Sequence, residues 1–302
     1  MAEKQFNKGD VVFRQGDDAD CFYTVIEGSV GIFAKYDGGN EYLLSEITKG
    51  QYFGEMAVID ASPRSAGAVA LEDGTRLNQI STEELNQYFQ DNPDNITQLM
   101  KVLSKRLRDL TREYDEAKAI AAKLGADGMD PDEATQRQLQ KYTYYYKTRP
   151  AVRNRPSAET VREEKEARNH SAGFSKNVVS YPKGTVICKQ GDLVECMYDI
   201  HWGRVGIYTN YGTPNQIELS VLSSNNFFGE MGMVSGEPRS ATVVALEDQT
   251  TIEIIRPEDF YELFEKNPVK VDMILRHLST RLRKLTSQYL DVCKAISEKT
   301  GN

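Results

Sequence analysis

The chain has 302 residues and a formal net charge of −8, from 37 Lys plus Arg against 45 Asp plus Glu. Hydrophobic residues at 39% and charged residues at 27% describe a soluble globular protein, and the length suggests two domains. No eighteen-residue apolar run exists to span a membrane, the start MAEKQFNKGD has no signal-peptide core, and the acidic balance argues against broad phosphate-backbone binding.

His170, His201 and His277 stand far apart in sequence, so no His-rich metal site is expected. Cys21, Cys188, Cys196 and Cys293 form no C-x-x-C pair and read as reduced core thiols of a cytoplasmic protein. No Cys–His or Ser–His–Asp arrangement points to catalysis, so neither a catalytic residue nor a metal is expected.

Taken in chain order, β-type runs come first: Val11–Phe13, Cys21–Ile26 and Val30–Phe33. Asp37-Gly38-Gly39 is a hairpin-turn signal, after which Tyr42–Leu44 resumes the strand. Ala68–Leu71 and Leu77–Ile80 add two more short strands. Such regular spacing predicts an antiparallel barrel or jelly roll. Ser81-Thr82-Glu83-Glu84 then opens a helix with a cap residue followed by acids, and Asn92-Pro93-Asp94 restarts it. Leu103, Leu107, Leu110, Tyr114, Ala117, Ala121 and Leu124 follow at steps of four and three, a heptad seam.

Residues 125–173 are polar, with Gly125, Gly128, Pro131, Pro150, Pro156 and the charged run ETVREEKEARNH. Such a stretch cannot build a third core. Exposed helix is expected near 132–147 and 158–169. Tyr142, Tyr144, Tyr145 and Tyr146 are expected to pack this linker onto a domain, a docking patch for a partner being the alternative.

Beyond the linker the first pattern returns at an offset of 175. FGEM at 53–56 recurs at 228–231, PRSA at 63–66 recurs at 238–241, and Gln15-Gly16-Asp17 recurs as Gln190-Gly191-Asp192. About two-fifths of positions 7–114 are identical to their counterparts. A period of domain size means two copies of one domain. A second seam, Leu278, Leu282, Leu285, Tyr289, Val292 and Ile296, matches the first. The two seams are expected to pair within the chain, or otherwise in a homodimer.

The duplicated cassette carries the chemistry. Each copy has a Gly, then an acid, a short helical turn, and an Arg nine residues after the acid. The Gly admits a ligand to the backbone, the free amides of a helix start suit an anion, and Arg offers a planar fork to phosphate. Ser65 and Ser240 add a hydroxyl. A carboxylate would repel phosphate, so Glu55 and Glu230 are expected to accept from a sugar hydroxyl while pairing with the cassette Arg. Phosphate and sugar held together spell a small nucleotide.

In these segments the chain resembles the cyclic nucleotide-binding domain family, whose phosphate-binding cassette reads F-G-E-x-A, a spacer, then P-R-x-A. The resemblance covers about 6–124 and 176–300. It implies a mainly β fold with helices: two β-roll (jelly-roll) domains, each followed by a long C-terminal helix. The boundaries are 1–124 for the first domain, 125–173 for the linker and 174–302 for the second domain. The resemblance further implies that Glu55 and Glu230 bind the ribose 2′-hydroxyl and that Arg64 and Arg239 bind the cyclic phosphate. Backbone amides complete the cradle, near Gly54, Met56, Ala57 and Ala66 in one copy and Gly229, Met231, Gly232 and Ala241 in the other. Gly232 departs from the family's Ala. By likeness to the dimer helix of catabolite activators, Thr111 and Thr286 face the purine.

Ser after Arg is similar to those bacterial activators and unlike the Thr common in cGMP-dependent kinases, which favours cAMP over cGMP. The second long helix runs to Asn302 without a helix-turn-helix, and only five residues precede Phe6, so neither DNA binding nor a leading docking segment is expected. The resulting expectation is a cytoplasmic cAMP receptor, without cofactor, that signals through its long helices to an effector protein. Vestigial sites in an assembly protein, or a regulatory subunit of a separate enzyme, are the alternatives.

Overall fold

The structure, a computed structural model, describes residues 2–34, 42–59, 61–92, 94–124, 133–148, 176–193 and 195–300. The hairpin turn expected at 37–39 and the helix expected at 158–169 lie outside these residues, as do the side chains of Tyr144, Tyr145 and Tyr146.

The chain divides into two compact units. One comprises Met1–Tyr88, Arg106–Val161 and Ser279–Asn302, and the other comprises Phe89–Lys105 and Arg162–Leu278. The first unit holds two antiparallel four-stranded sheets. One sheet runs β1 (Ala2–Phe6), β8 (Thr75–Ser81), β3 (Cys21–Glu27), β6 (Tyr52–Phe53). The other runs β2 (Val11–Phe13), β7 (Gly67–Ala70), β4 (Ser29–Ala34), β5 (Tyr42–Thr48). Alternating residues of β3 point into the sandwich, where Cys21, Tyr23 and Val25 meet Val30, Ile47, Phe53, Ala68 and Leu77. Phe22, on the opposite face of β3, is covered in turn by Tyr52 and Tyr88, with ring centroids 6.1 and 6.0 Å away.

The second unit repeats the plan. Its sheets are β14 (Phe227–Phe228), β11 (Met197–Trp202), β16 (Thr250–Ile255), β9 (Val178–Tyr181), and β10 (Val186–Cys188), β15 (Thr242–Ala245), β12 (Arg204–Thr209), β13 (Ile217–Ser223). Register breaks between Ile32 and Phe33 in β4 and between Ile207 and Tyr208 in β12, so the copies share a bulge as well as a motif. The chain is thus mainly β with helices, built on two double-sheet jelly rolls.

Seven helices lie among the described residues. α1 (Glu55–Ile59) and the following α2 (Leu85–Asp91) and α3 (Asp94–Lys123) come from the first copy, and α4 (Glu133–Thr148) from the linker. α5 (Glu230–Ser235), α6 (Asp259–Lys266) and α7 (Pro268–Thr300) come from the second. The opening at Ser81–Glu84 is a cap rather than a helical turn: Glu84 N–H donates to Ser81 Oγ at 3.3 Å, and the Glu84 carboxylate accepts from Ser81 N–H at 3.1 Å.

The distal halves of α3 and α7 share a core inside the first unit. Ala117 and Ile120 pack with Tyr289, Leu290, Cys293 and Ile296, and with Leu139 and Tyr142 of α4. Leu110 adjoins this core, while Leu103 and Leu278 are buried in the second unit. Tyr142 meets Tyr289 edge to face at 6.2 Å, so the linker helix packs onto a domain through this residue. All four cysteines are buried free thiols.

Candidate functional site

In the first unit the cassette starts where β6 ends. Gly54 adopts φ 77°, and a β-carbon there would meet Arg64 Nη1 at 2.7 Å. Both the left-handed backbone and the lack of space therefore require Gly. The next residue, Glu55, opens α1 and is 1% exposed. Arg64 is 4% exposed, and its fork is taken by backbone: Nη1 donates to Gly54 O at 2.7 Å and Nη2 to Cys21 O at 2.6 Å. The guanidinium lies 4.2 Å from the centroid of the Phe13 ring.

The second unit builds the same arrangement. Gly229 sits at φ 78°, Glu230 opens α5 buried, and Arg239 donates to Gly229 O and Cys196 O. Its guanidinium lies 5.3 Å from the Tyr198 ring centroid, since Cys188 stands where the first copy has Phe13.

The expected pairing of Glu55 with Arg64 is not what forms. Arg64 spends both terminal nitrogens on carbonyls, and Glu55 Oε1 instead pairs with Arg106 of α3, whose Nη2 also donates to Tyr52 O at 3.0 Å. A long side chain projecting from a helix reaches the buried carboxylate that the inward-folded Arg64 does not. Arg106 was missed by sequence reasoning, which assigned that helix to the seam. Its signal was the repetition of Arg106-Leu107-Arg108 as Arg281-Leu282-Arg283.

Arg64 Nε, Arg239 Nε and Glu55 Oε2 are buried and have no hydrogen-bond partner among the described residues. Each such atom costs about 1–3 kcal/mol in a closed interior. A charged donor and an open carboxylate lone pair within one cassette suit an anionic oxygen and a hydroxyl, the groups offered by a sugar phosphate.

The remaining expected residues fall around these anchors. Met56 and Ala57 lie in the first turn of α1, and Ala66 and Ala241 are buried beside their Arg. Ser65 is half-buried, with its carbonyl accepting from Gln15 Nε2 at 3.1 Å, while Ser240 is exposed. Met231 is half-buried on α5. At Gly232, where the first copy has Ala57, a β-carbon would lie 3.0 Å from Arg239 Nη1. Thr111 and Thr286 are half-buried, and each hydroxyl donates to its own helix, to Leu107 O at 2.7 Å and Leu282 O at 2.8 Å.

One histidine, His201, enters a cluster that its sequence surroundings do not announce. The fold brings His201, Asp199 and Glu253 within 4.8 Å of one another, because β11 and β16 are neighbours. Their cation is built in. Lys270, 1% exposed in the first turn of α7, pairs with Asp199 at 2.6 Å and with Glu253. His201 Nε2 lies 3.1 Å from Glu253 and 3.4 Å from Asp199. Burial acts to raise both carboxyls, but hydrogen bonds from His201 and the charge of Lys270 outweigh it and hold them below the usual range. The first copy has Thr24, Ile26, Asn78 and Asn95 at these four positions.

Hydrogen bonds to Asp199 and then Glu253 push the His201 pKa up to about 9. A raised histidine contributes stability that is full below its unfolded value of about 6.5 and is lost as pH rises through about 9. His201→Gln is therefore expected to flatten the fall in stability over that window, read by urea denaturation at stepped pH. An unchanged slope would refute the assignment.

The cyclic nucleotide-binding domain model matches residues 3–92 and 178–267, and the chain belongs to that family. It is 24% identical to a cAMP-dependent protein kinase regulatory subunit of Dictyostelium discoideum, over 91% of this chain and 68% of that protein. A similarly named subunit of Blastocladiella emersonii is 24% identical over 81% of this chain, which spans 48% of its length. Among solved structures, the cAMP-bound regulatory domain of Toxoplasma gondii PKA is 18% identical, covering 89% of this chain and 82% of that one at a TM-score of 0.27. No described helix is long and apolar enough to cross a membrane.

Proposed function

We propose that the chain is a receptor with two cyclic-nucleotide sites, cAMP favoured over cGMP, carried by domains 1–124 and 174–302 joined by the linker 125–173. Glu55 and Glu230 take the ribose hydroxyl, Arg64 and Arg239 the cyclic phosphate, and the amides around Gly54, Met56, Ala57 and Ala66, with their counterparts Gly229, Met231, Gly232 and Ala241, close the cradle. Thr111 and Thr286 approach the purine with hydroxyl lone pairs, since their protons are bound to the helix. The observation that carries this reading is the set of buried polar atoms without a partner among the described residues: Arg64 Nε, Arg239 Nε and Glu55 Oε2.

The ligand shifts the long helices, and a partner protein reads the shift. The protein is not itself an enzyme and acts in the cytoplasm, away from DNA and membrane. The regulatory-subunit names of relatives similar over most of the chain favour a separate enzyme, a protein kinase, as the effector. Calorimetric titration of the purified chain with cAMP and with cGMP tests the reading. Two equivalents of cAMP bound, more tightly than cGMP, is the expected result, and no heat with either nucleotide refutes it.

A further inference from the structure

Within the first unit, α7 reaches the first cassette with two buried side chains. Ser279, 0% exposed, donates its hydroxyl to Met56 O at 3.5 Å. Arg283 is buried as well, and its Nη1 donates to Pro63 O at 3.4 Å. The two residues are four apart and so lie on one face of the helix. Their acceptors flank the cassette: Met56 follows Glu55 on α1, and Pro63 supplies the peptide that leads into Arg64. The contacts span 223 and 220 residues of sequence. Ser104, the counterpart of Ser279, is equally buried, but its hydroxyl has no partner among the described residues.

From this we infer that Ser279 and Arg283 are positioning residues of the first cyclic-nucleotide site, with α7 fixing the spacing between the carrier of Glu55 and the carrier of Arg64. The inference rests on the receptor reading above. It deepens that reading in one respect: the first site is complete only with the long helix that the second copy contributes. A buried guanidinium held by a carbonyl fixes that carbonyl in return, so the turn before Arg64 loses its freedom when Arg283 is in place. Neither side chain need touch the nucleotide to set its affinity, because the cradle atoms must be held close to their binding geometry.

The test uses the full-length chain and cAMP in calorimetry. An Arg239→Ala background isolates the first site, and an Arg64→Ala background isolates the second. Adding Arg283→Met is expected to weaken the first site about tenfold, the scale of one charge-assisted hydrogen bond. Arg283→Lys should recover part of that loss, and the second site should keep its affinity. Ser279→Ala, a smaller change, should weaken the first site a few-fold with an unaltered circular dichroism spectrum. Equal affinity with and without the α7 substitutions, or an equal loss at both sites, overturns the inference while leaving the receptor reading intact. An unsubstituted chain that binds no cAMP overturns both.

Discussion

Arg64→Ala is expected to remove one equivalent of bound cAMP and to leave the other, and Arg239→Ala is expected to do the same at its own site. The lost charge-assisted contact is worth about 1.5–3 kcal/mol. A second loss follows from the geometry. Arg64 holds Gly54 O and Cys21 O, so its removal strands two carbonyls beside the cassette and frees the left-handed Gly54 turn. Thermal stability of the unliganded protein should therefore fall along with stoichiometry. Arg64→Lys is the discriminating control, because a point charge cannot hold two carbonyls and also offer a third donor from a planar fork. It should keep part of the stability and little of the affinity. Two equivalents bound at native affinity in both alanine variants would dismiss the cassette assignment.

The largest stability loss is expected from Lys270→Met. Lys270 is buried between Asp199 and Glu253 at the root of α7, and removing it leaves two buried carboxylates with only the half-buried His201 to balance them. Breaking a buried ion pair from one side costs about 3–5 kcal/mol. Chemical denaturation should show that loss. Combining Lys270→Met with Asp199→Asn and Glu253→Gln should recover much of it, since replacing every charge removes the stranded group. A single substitution that costs less than about 1 kcal/mol would mean that the cluster is solvated in solution. In the first copy the same positions hold neutral residues, so Asn95→Ala should cost far less than Lys270→Met.

The division between what was legible in the sequence and what was not has a physical basis. Strand runs, the heptad seams and the offset of 175 are local or periodic patterns, and they located both jelly rolls and the long helices α3 and α7. Gly54, Glu55 and Arg64 were legible because their spacing is itself the cassette. What Arg64 bonds was not legible: the acceptor on Cys21 lies 43 residues upstream, on a strand that only the fold brings near. Arg106, Ser279 and Arg283 stayed hidden for a related reason. A charged or hydroxyl residue on an amphipathic helix reads as solvent-facing until its neighbour is known. Lys270 was equally obscure alone, although comparison of the copies carried a clue. Where the first copy has Thr24, Ile26, Asn78 and Asn95, the second has Asp199, His201, Glu253 and Lys270, so that opposite charges stand at the matching positions of one copy alone.

The make-up of the first unit bears on how the chain is synthesised. Its core includes Tyr289, Leu290, Cys293 and Ile296, and the Tyr289 hydroxyl donates to Glu113 at 2.9 Å, 176 residues away. Ribosomes deliver chain from the N-terminus at about 5–20 residues per second, and domains usually close as they emerge. Here the sheets of the first unit can form early, but Ala117, Ile120, Leu139 and Tyr142 must wait for Tyr289, Leu290, Cys293 and Ile296 before water leaves them. For that interval the nascent protein exposes an apolar helical surface on residues 117–142 that only residues 289–296 can cover.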